Sequence, residues 1–336
     1  MQVPRQTSGL PLSAWRMVVG LGLVSLTADM VADGGKALYG PLLGALGASA
    51  LIVGLVTGAA EGVSLLLRLA VGPLADRLGN HWNWTIAGYA MTAVCIPLLA
   101  VAPFIGSAGL LFATCLIIAE RVGKAVRSPS KTALLAHAAG AVGRGRGFGV
   151  HKTLDLIGAI TGPLLVAAVL AATGAIWPSM LVLLVPGALT MVLLLWMRRR
   201  VPDPSVYEPM PAQEGPESAT QEPGNWWAQA FGEGLPREFF TYAAAVGLTT
   251  GGLVSYAIVS FHFTKVGLIA VPAIPVVFSL AMAAAAIAAL ANGWLYDRLG
   301  PRVLLVLPLL VALVPLLTLT GSLGWALTGM VCWGLA

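Results

Sequence analysis

Long apolar runs, separated by short polar connections, recur along almost the whole 336-residue chain. A run of about 18 or more apolar residues predicts a membrane-spanning helix, because about 20 residues cross a hydrocarbon core about 30 Å thick. Lipid offers no hydrogen-bond partner to open strands or irregular loops, which excludes them as spanning segments. Charged residues make up only 10% of the chain, against about a quarter in a soluble domain. The sequence therefore predicts an all-α, polytopic membrane protein.

The apolar runs predict nine complete spans and one incomplete span. The complete spans are Met17–Leu43, Ala50–Leu74, Trp84–Phe104, Leu110–Val126, Val150–Ala172, Trp177–Met197, Phe239–Phe263, Pro272–Tyr296 and Val303–Leu319. A tenth run begins near Leu323 and stops at Ala336. At 1.5 Å per residue it would rise only about 21 Å, too little to cross the bilayer. We therefore expect a chain that is truncated at its C-terminus.

Lysine and arginine are distributed unevenly between the two sets of connections. They precede the first span and follow the second, fourth, sixth and eighth spans, whereas the alternate connections carry none except Lys265. By the positive-inside rule, this pattern predicts a cytoplasmic N-terminus in a plasma (inner) membrane. The topology also accounts for the net charge of +5, so we expect no nucleic-acid partner.

Residues 198–236 differ in composition from the rest of the chain. They are rich in Pro, Glu, Gln, Ser and Gly, which predicts a cytoplasmic and largely disordered linker. The linker divides the chain into an N-terminal six-helix bundle, residues 1–197, and an incomplete C-terminal bundle, residues 237–336.

A short charged signature occurs twice, each time at the end of a long apolar run. Gly72-Pro-Leu-Ala-Asp76-Arg77-Leu-Gly79 recurs as Gly293-Trp-Leu-Tyr-Asp297-Arg298-Leu-Gly300 with identical spacing. A duplicated membrane unit is the simplest explanation, and internal repeats are typical of secondary transporters.

The signature resembles the most widespread motif of the major facilitator superfamily (MFS), and its second copy is similar to the homologous loop of the family's second half. Asn80 and His81 stand where the family favours a basic pair. The resemblance implies a two-bundle (6+6) architecture around a central cavity, with only about 9–10 spans present here. It also implies that a charge network at these loops latches the two bundles together. The predicted latch residues are Gly72, Asp76, Arg77, Gly79, Glu120, Arg121, Gly293, Asp297, Arg298 and Gly300.

The fifth span carries a second resemblance. Gly149, Gly158, Gly162 and Pro163 reproduce most of the signature that the family's antiporters carry, although Val166 and Ala167 replace its closing glycine pair. The resemblance implies antiport and close helix packing at these glycines.

Charged residues inside the first span need a physical reason. Asp29, Asp33 and Lys36 lie four and seven residues apart, which places them on one helical face. Each would cost about 2.5–3.5 kcal/mol at the membrane centre, so such residues usually face the bundle interior or water. One interpretation is a cavity site, and the alternative is an Asp33–Lys36 pair that only fixes packing and leaves Asp29 over.

The second span carries Glu61 and Arg68, seven residues apart and therefore also on one face. A carboxyl group that is buried beside a cation can load and release a proton near neutral pH. Asp29 and Glu61 are the candidates for that role, whereas a structural ion pair with the first span is the alternative. In the second half the span interiors carry no charge, and Tyr39 and Tyr256 are candidates to line a shared cavity.

No nucleophile–base pair, metal-ligand cluster or phosphate-binding loop is evident in the sequence, so we expect neither an enzyme nor a bound metal or cofactor. The favoured interpretation is a monomeric secondary transporter that exports a small organic solute by alternating access in exchange for protons. A metabolite symporter or uniporter, and a non-transporting membrane sensor of the same fold, are the alternatives.

Overall fold

The computed structural model describes residues 12–207 and 236–336, and all the regular structure in these two ranges is helical. The helices are α1 Ala14–Lys36, α2 Tyr39–Ala45, α3 Ala50–Leu78, α4 His81–Leu98, α5 Gly109–Val142, α6 Arg144–Thr173, α7 Ile176–Leu181, α8 Leu184–Arg200, α9 Arg237–Gly252, α10 Tyr256–Val266, α11 Ile274–Leu299, α12 Leu307–Thr318 and α13 Leu323–Leu335. The predicted all-α class is confirmed.

Seven helical segments of the described chain are long and apolar enough to cross a membrane. They are Ala14–Lys36, Ala50–Ala75, His81–Phe104, Arg144–Thr173, Ile176–Arg200, Phe239–Val266 and Val271–Asn292. Two further apolar helices, Arg302–Thr318 and Leu323–Leu335, are shorter. Helix α5 is long enough but is not among the seven, because Glu120, Arg121 and Lys124 interrupt its apolar stretch.

Helix α5 is twice as long as the predicted fourth span. The prediction ended it at Val126 and placed Arg127 and Lys131 in a loop, whereas the helix continues through Pro129 to Val142. Its 34 residues rise about 51 Å, more than the thickness of a hydrocarbon core. The prediction was wrong because it followed hydrophobicity alone, and a helix can continue once its side chains become polar.

The first and seventh predicted spans are each broken into two helices. The first breaks between α1 and α2, and the seventh breaks at Leu253 between α9 and α10. The two outer segments meet, because a Cβ added at Gly40 would overlap backbone atoms of Ala257 and Phe261 and the hydroxyl of Ser260. Only glycine permits so close an approach of α2 to α10.

We call residues 12–207 the N-terminal part and residues 236–336 the C-terminal part. Besides α2 and α10, helix α6 packs on α11 across their junction. Two hydrogen bonds cross it: Thr57 Oγ1 lies 3.1 Å from Ser255 Oγ, and Ser279 Oγ donates to the Ile160 carbonyl at 2.9 Å. Thr57 lies in the first third of α3 and Ser279 near the start of α11, at the ends of these helices away from Leu78 and Leu299.

The predicted linker is partly ordered. Residues 198–200 complete α8, Val201 is buried, and Pro204–Tyr207 forms a 3-10 turn. The Tyr207 hydroxyl donates to the Leu12 carbonyl at 2.6 Å, which ties this turn to the start of α1. Residues 198–207 of the predicted linker are therefore ordered, and residues 208–235 lie outside the described residues, so a largely disordered linker stays a prediction. The division into two bundles stays a prediction.

Candidate functional site

The charged face of α1 lies against α3 and α5. Lys36 Nζ is 3.8 Å from Glu61 Oε1, and Asp29 Oδ1 is 3.8 Å from Arg127 Nη2. Lys36 therefore pairs with a residue of α3 instead of with Asp33, the partner that the packing interpretation gave it. Arg127 was not predicted to take part, and it supplies the counter-ion that Asp29 lacked.

Arg121 is the centre of a buried ion-pair group on α5. Its Nε lies 3.2 Å from Glu120 Oε2 and its Nη1 lies 3.4 Å from Glu61 Oε1. The side chains of Glu120 and Arg121 are 0% and 3% exposed, whereas that of Glu61 is 48% exposed. Glu61 thus connects two cations, Arg121 and Lys36, to open space.

The contact of Arg121 with Glu61 corrects one part of the predicted latch. Glu61 and Asp76 are fifteen residues apart on α3, or about 22 Å along its axis. Arg121 contacts Glu61, and Thr92 Oγ1 donates to Glu120 Oε1 at 3.4 Å. Glu120 and Arg121 therefore belong to the interior ion-pair group and not to a network around the Asp76 loop.

Arg127 is held in place from three sides. Its guanidinium lies 4.5 Å from the centre of the Tyr89 ring, donates a hydrogen bond to Thr92 and faces Asp29. Stacking on an aromatic ring and charge-assisted bonding both favour arginine over lysine at such a site. Thr92 contacts both Arg127 and Glu120, so the two ion-pair groups share a partner.

Asp155 on α6 is a further carboxylate among these charged residues. Its two oxygens lie 4.0 Å from Lys131 Nζ and 3.2 Å from Lys152 Nζ. Lys131 Nζ also donates to Ser25 Oγ at 3.1 Å, which connects α5 to α1. His151, four residues before Asp155 on α6, is buried, and its Nε2 has no hydrogen-bond partner among the described residues.

Lys131 was missed as a site residue because it follows the apolar run. A signal was nevertheless present in the sequence, since Lys124, Arg127 and Lys131 recur at steps of three and four residues. That spacing places all three on one face of a continuing helix.

Two cavities adjoin these charges. The first, which we call the interface cavity, has a volume of about 140 Å³ and is lined by both parts of the chain. Lys36, Glu61 and Arg121 form part of one wall, while Tyr256 and Trp333 belong to the other. Tyr39 lines it as well, as does Ser255 at the break before α10.

The second, which we call the charged cavity, has a volume of about 520 Å³. Helices α1, α3, α5 and α6 supply its charged side chains, and Met282 and Ala285 of α11 contribute apolar surface. Asp29, Asp33 and Arg68 all line it. Three of the five predicted cavity residues thus line the charged cavity, and the other two, Lys36 and Glu61, line the interface cavity.

The duplicated signature gives the same local structure twice. Helix α3 ends at Leu78 and α11 ends at Leu299, and each is followed by a glycine in the left-handed region, Gly79 at φ +59° and Gly300 at φ +61°. Only glycine adopts that conformation without strain, which explains the closing glycine of both copies. Arg77 and Arg298 are exposed. Gly293 and the side chains of Asp76 and Asp297 lie outside what the structure describes.

The fifth-span glycines bring α6 against α1. A Cβ at Gly158 would overlap the Leu26 carbonyl, and one at Gly162 would lie 2.6 Å from Met30 Cα. Gly149 has no atom within 4 Å of such a Cβ, and Pro163 lies within α6. Gly72, in the first signature, meets only Pro129 at an ordinary 4.0 Å. The inner two glycines of the motif therefore determine the α1–α6 contact.

Comparison with known sequences gives one family and several relatives. The sequence profile described as "Major Facilitator Superfamily" matches residues 13–336. An uncharacterized protein of Mycobacterium tuberculosis is 48% identical over 327 residues, which cover 97% of this chain and 76% of that protein. An uncharacterized MFS-type transporter of Methanocaldococcus jannaschii is 28% identical over 142 residues, 42% of this chain and 34% of that one.

Solved structures share the fold at low sequence identity. A variant of the nucleoside transporter NupG superposes with a TM-score of 0.71 at 12% identity, covering 95% of this chain and 79% of that chain. A bacterial homolog to the human lysosomal transporter Spinster, in an inward-facing and occupied conformation, gives 0.63 at 16% identity, with 95% and 70% covered. At these identities the similarity concerns the fold alone.

Proposed function

The chain belongs to the Major Facilitator Superfamily, a family of secondary transporters and not of enzymes, and on this premise we propose that it moves a small organic solute by alternating access with protons as the coupling ion. The predicted family, membrane class and non-enzymatic nature are thereby confirmed. The nature of the substrate and of the coupling ion is what we propose.

The observation that carries the proposal is the position of Glu61. Its carboxylate is half exposed at the interface cavity, yet it is held by Arg121, which is buried, and by Lys36. A carboxylate in this position can take up a proton from the cavity water and release its cations, or lose the proton and bind them again. Since the opposite wall belongs to the C-terminal part, rocking of the two parts would change the access of water to Glu61.

Antiport is the coupling mode that we propose first, with export of the solute. Helix α6 carries the antiporter-like glycines, packs on α1 through Gly158 and Gly162, and also contacts α11 of the other part. Helix α6 therefore contacts both α1, which carries Asp29, and α11, which would move relative to α1 if the two parts rock. Symport is the second candidate. Five cations and three carboxylates line the charged cavity. Protonation of one of these carboxylates would assist the binding of an anion, which favours symport.

We also propose that the N-terminus is cytoplasmic and that the two Asp-Arg loops act as the latch. The first proposal rests on the distribution of lysine and arginine, and the second on the matching left-handed glycines, Gly79 and Gly300.

Proteoliposomes that contain a trapped pH dye test the function. Four labelled solutes of different charge and shape, namely uridine, xylose, benzoate and benzamidine, are supplied with and without a proton gradient. We expect uphill movement of at least one solute, accompanied by proton movement in the opposite direction for antiport and in the same direction for symport. If the gradient moves none of the four, the transport proposal fails.

The proton sites are tested with Glu61→Gln and Asp29→Asn. Each change keeps the shape of the side chain and removes the titrating group, so we expect loss of uphill transport while downhill exchange persists. Asp203→Asn is the matched control, because Asp203 is exposed outside the predicted spans and accepts a hydrogen bond from Ser205. Uphill transport that survives both site changes would show that the proton sites lie elsewhere.

A further inference from the structure

The charged cavity contains more cations than carboxylates. Three carboxylates line it, on α1 and α6: Asp29, Asp33 and Asp155. Five cations line it, on α3, α5 and α6: Arg68, Lys124, Arg127, Lys131 and Lys152. With all groups ionised the described lining therefore has a surplus of positive charge.

The ion pairs show where that surplus is located. Arg127 neutralises Asp29, and Lys131 and Lys152 share Asp155. Asp33, Arg68 and Lys124 have no direct ion pair among the described contacts, although Lys124 interacts with Asp33, and Arg68 with Glu61, at longer range. Arg68 Nε is buried without a hydrogen-bond partner among the described residues. Two cations and one carboxylate thus remain to be satisfied around the same space.

The described residues of the far wall supply no counter-charge. The α11 residues on it are Met282 and Ala285, and Leu156 and Ala159 of α6 add further apolar surface. Cations at membrane depth without a direct counter-ion are unfavourable, so such residues usually mark the path of a substrate or ion. The cavity thus has positively charged side chains on one side and an apolar wall on the other. Its volume of about 520 Å³ suits a small organic molecule.

We infer that the charged cavity binds a small organic anion, whose carboxylate or phosphate group neutralises Arg68 and Lys124 while its apolar body lies against Met282 and Leu156. The inference rests on the proposed transport function and names the substrate class for it. Arginine suits the role because its planar fork binds carboxylate and phosphate oxygens in pairs.

Asp33 is the group that makes the substrate class testable. It faces the same space as Arg68 and Lys124, so it competes with the anion for them. Removing its charge strengthens anion binding, whereas removing either cation weakens it. A proton on Asp33 has the same effect as the neutral substitution, so proton and anion favour each other's binding. An anionic substrate therefore favours the symport candidate.

The experiment uses three probes of nearly equal size and different charge: benzoate, benzamide and benzamidine. Their binding to the whole protein in lipid nanodiscs is measured by equilibrium dialysis, with inorganic phosphate as an anion that has no apolar body. We expect benzoate to bind at least about tenfold more tightly than the other two, which corresponds to one well-placed charge interaction. Phosphate should bind less tightly than benzoate. Equal binding of benzoate and phosphate would overturn the organic part of the inference, and preference for benzamide or benzamidine would overturn all of it.

Three variants assign the site. Arg68→Gln and Lys124→Gln should each weaken benzoate binding about tenfold, and Asp33→Asn should strengthen it about threefold or more. Lys265→Gln and Arg199→Gln remove exposed cations outside the cavity and should change binding less than about twofold. The opposite signs are the decisive result, because a purely structural role for these residues would weaken binding in all three variants. Weaker binding in Asp33→Asn would contradict the inference.

Failure of the inference and failure of the transport function give different results. Gradient-driven movement of uridine, xylose or benzamidine in preference to benzoate would keep the transport function and refute the anion. Absence of driven movement for every probe would refute the transport function itself, even if benzoate bound.

Discussion

The first and the seventh predicted spans are both broken helices, yet only the first carries charge. Asp29, Asp33 and Lys36 precede the break between α1 and α2, whereas residues 239–261 around the break after α9 contain no Asp, Glu, Lys or Arg. The two breaks meet at the junction of the parts, where Gly40 packs on Ala257. The comparison indicates that the N-terminal part supplies the charged side chains of the interface cavity, whereas the C-terminal part supplies its uncharged opposite wall.

The two parts also satisfy their buried polar groups differently. In the N-terminal part Arg121, Glu120 and Glu61 depend on one another across two helices. In the C-terminal part the buried Tyr256 hydroxyl donates to the Ile274 carbonyl at 2.6 Å, and its ring packs on Phe278. Loss of a partner should therefore be far more damaging in the first part than in the second.

The largest effect is expected from Arg121→Gln. The change leaves the carboxylate of Glu120 buried without a cation, and breaking a buried pair in this way costs about 3–5 kcal/mol. Tyr256→Phe, the counterpart in the other part, removes one neutral hydrogen bond and should cost only about 0.5–1.5 kcal/mol. The free energy of unfolding in detergent, followed by far-UV circular dichroism, measures both.

A double variant separates charge from packing. Arg121→Gln combined with Glu120→Gln removes both charges, so it should recover most of the stability that the single change loses. If the double variant is as unstable as Arg121→Gln, packing and not the unpaired carboxylate is the cause, and the contrast between the two parts is weaker than we infer.

A second contrast concerns glycines of the two parts. Gly162→Ala would overlap the Met30 backbone and should destabilise the protein by about 1–3 kcal/mol. Gly251 of α9 has no atom within 4 Å of an added Cβ, so Gly251→Ala should be neutral or should stabilise by up to about 1 kcal/mol through helix propensity. Unfolding of the two variants in the same detergent gives the two signs. A similar loss in both would contradict the inference that packing requires glycine at position 162 and not at position 251.

The charged residues of α1 and α3 could be predicted from the sequence because each interrupts an apolar run. Asp29, Asp33, Lys36 and Glu61 are visible in this way without any structure. Their partners were not, since an ion pair depends on which helices become neighbours. Lys36 pairs with Glu61 of α3 and not with the nearby Asp33, and only the position of α3 in the fold decides this.

The extent of helices was the least predictable feature. Hydrophobicity detects where a chain can lie in lipid, but it does not detect where a helix ends. It therefore ended the fourth span near Val126, although α5 continues to Val142 and carries Lys131 to Asp155. It also joined α1 to α2, because Ala37 and Leu38 at the break are as apolar as residues inside a spanning helix. Helix ends were predicted better at the repeated signature, because its closing glycine adopts the same left-handed conformation at both sites.

The smallest effect is expected at the junction of the two parts. Ser255→Ala removes the hydrogen bond to Thr57, a neutral pair that contributes about 0.5–1.5 kcal/mol. That bond exists only while the parts touch at the face away from the N-terminus, so its loss should favour the arrangement that is closed at the N-terminal face, by about 2- to 12-fold. Spin labels at Arg146 and Arg302, one in each part, measure this as a larger population of short distances. Thr241→Val is the control, because the Thr241 hydroxyl bonds only within its own helix, and an equal shift there would show that the junction bond does not set the balance.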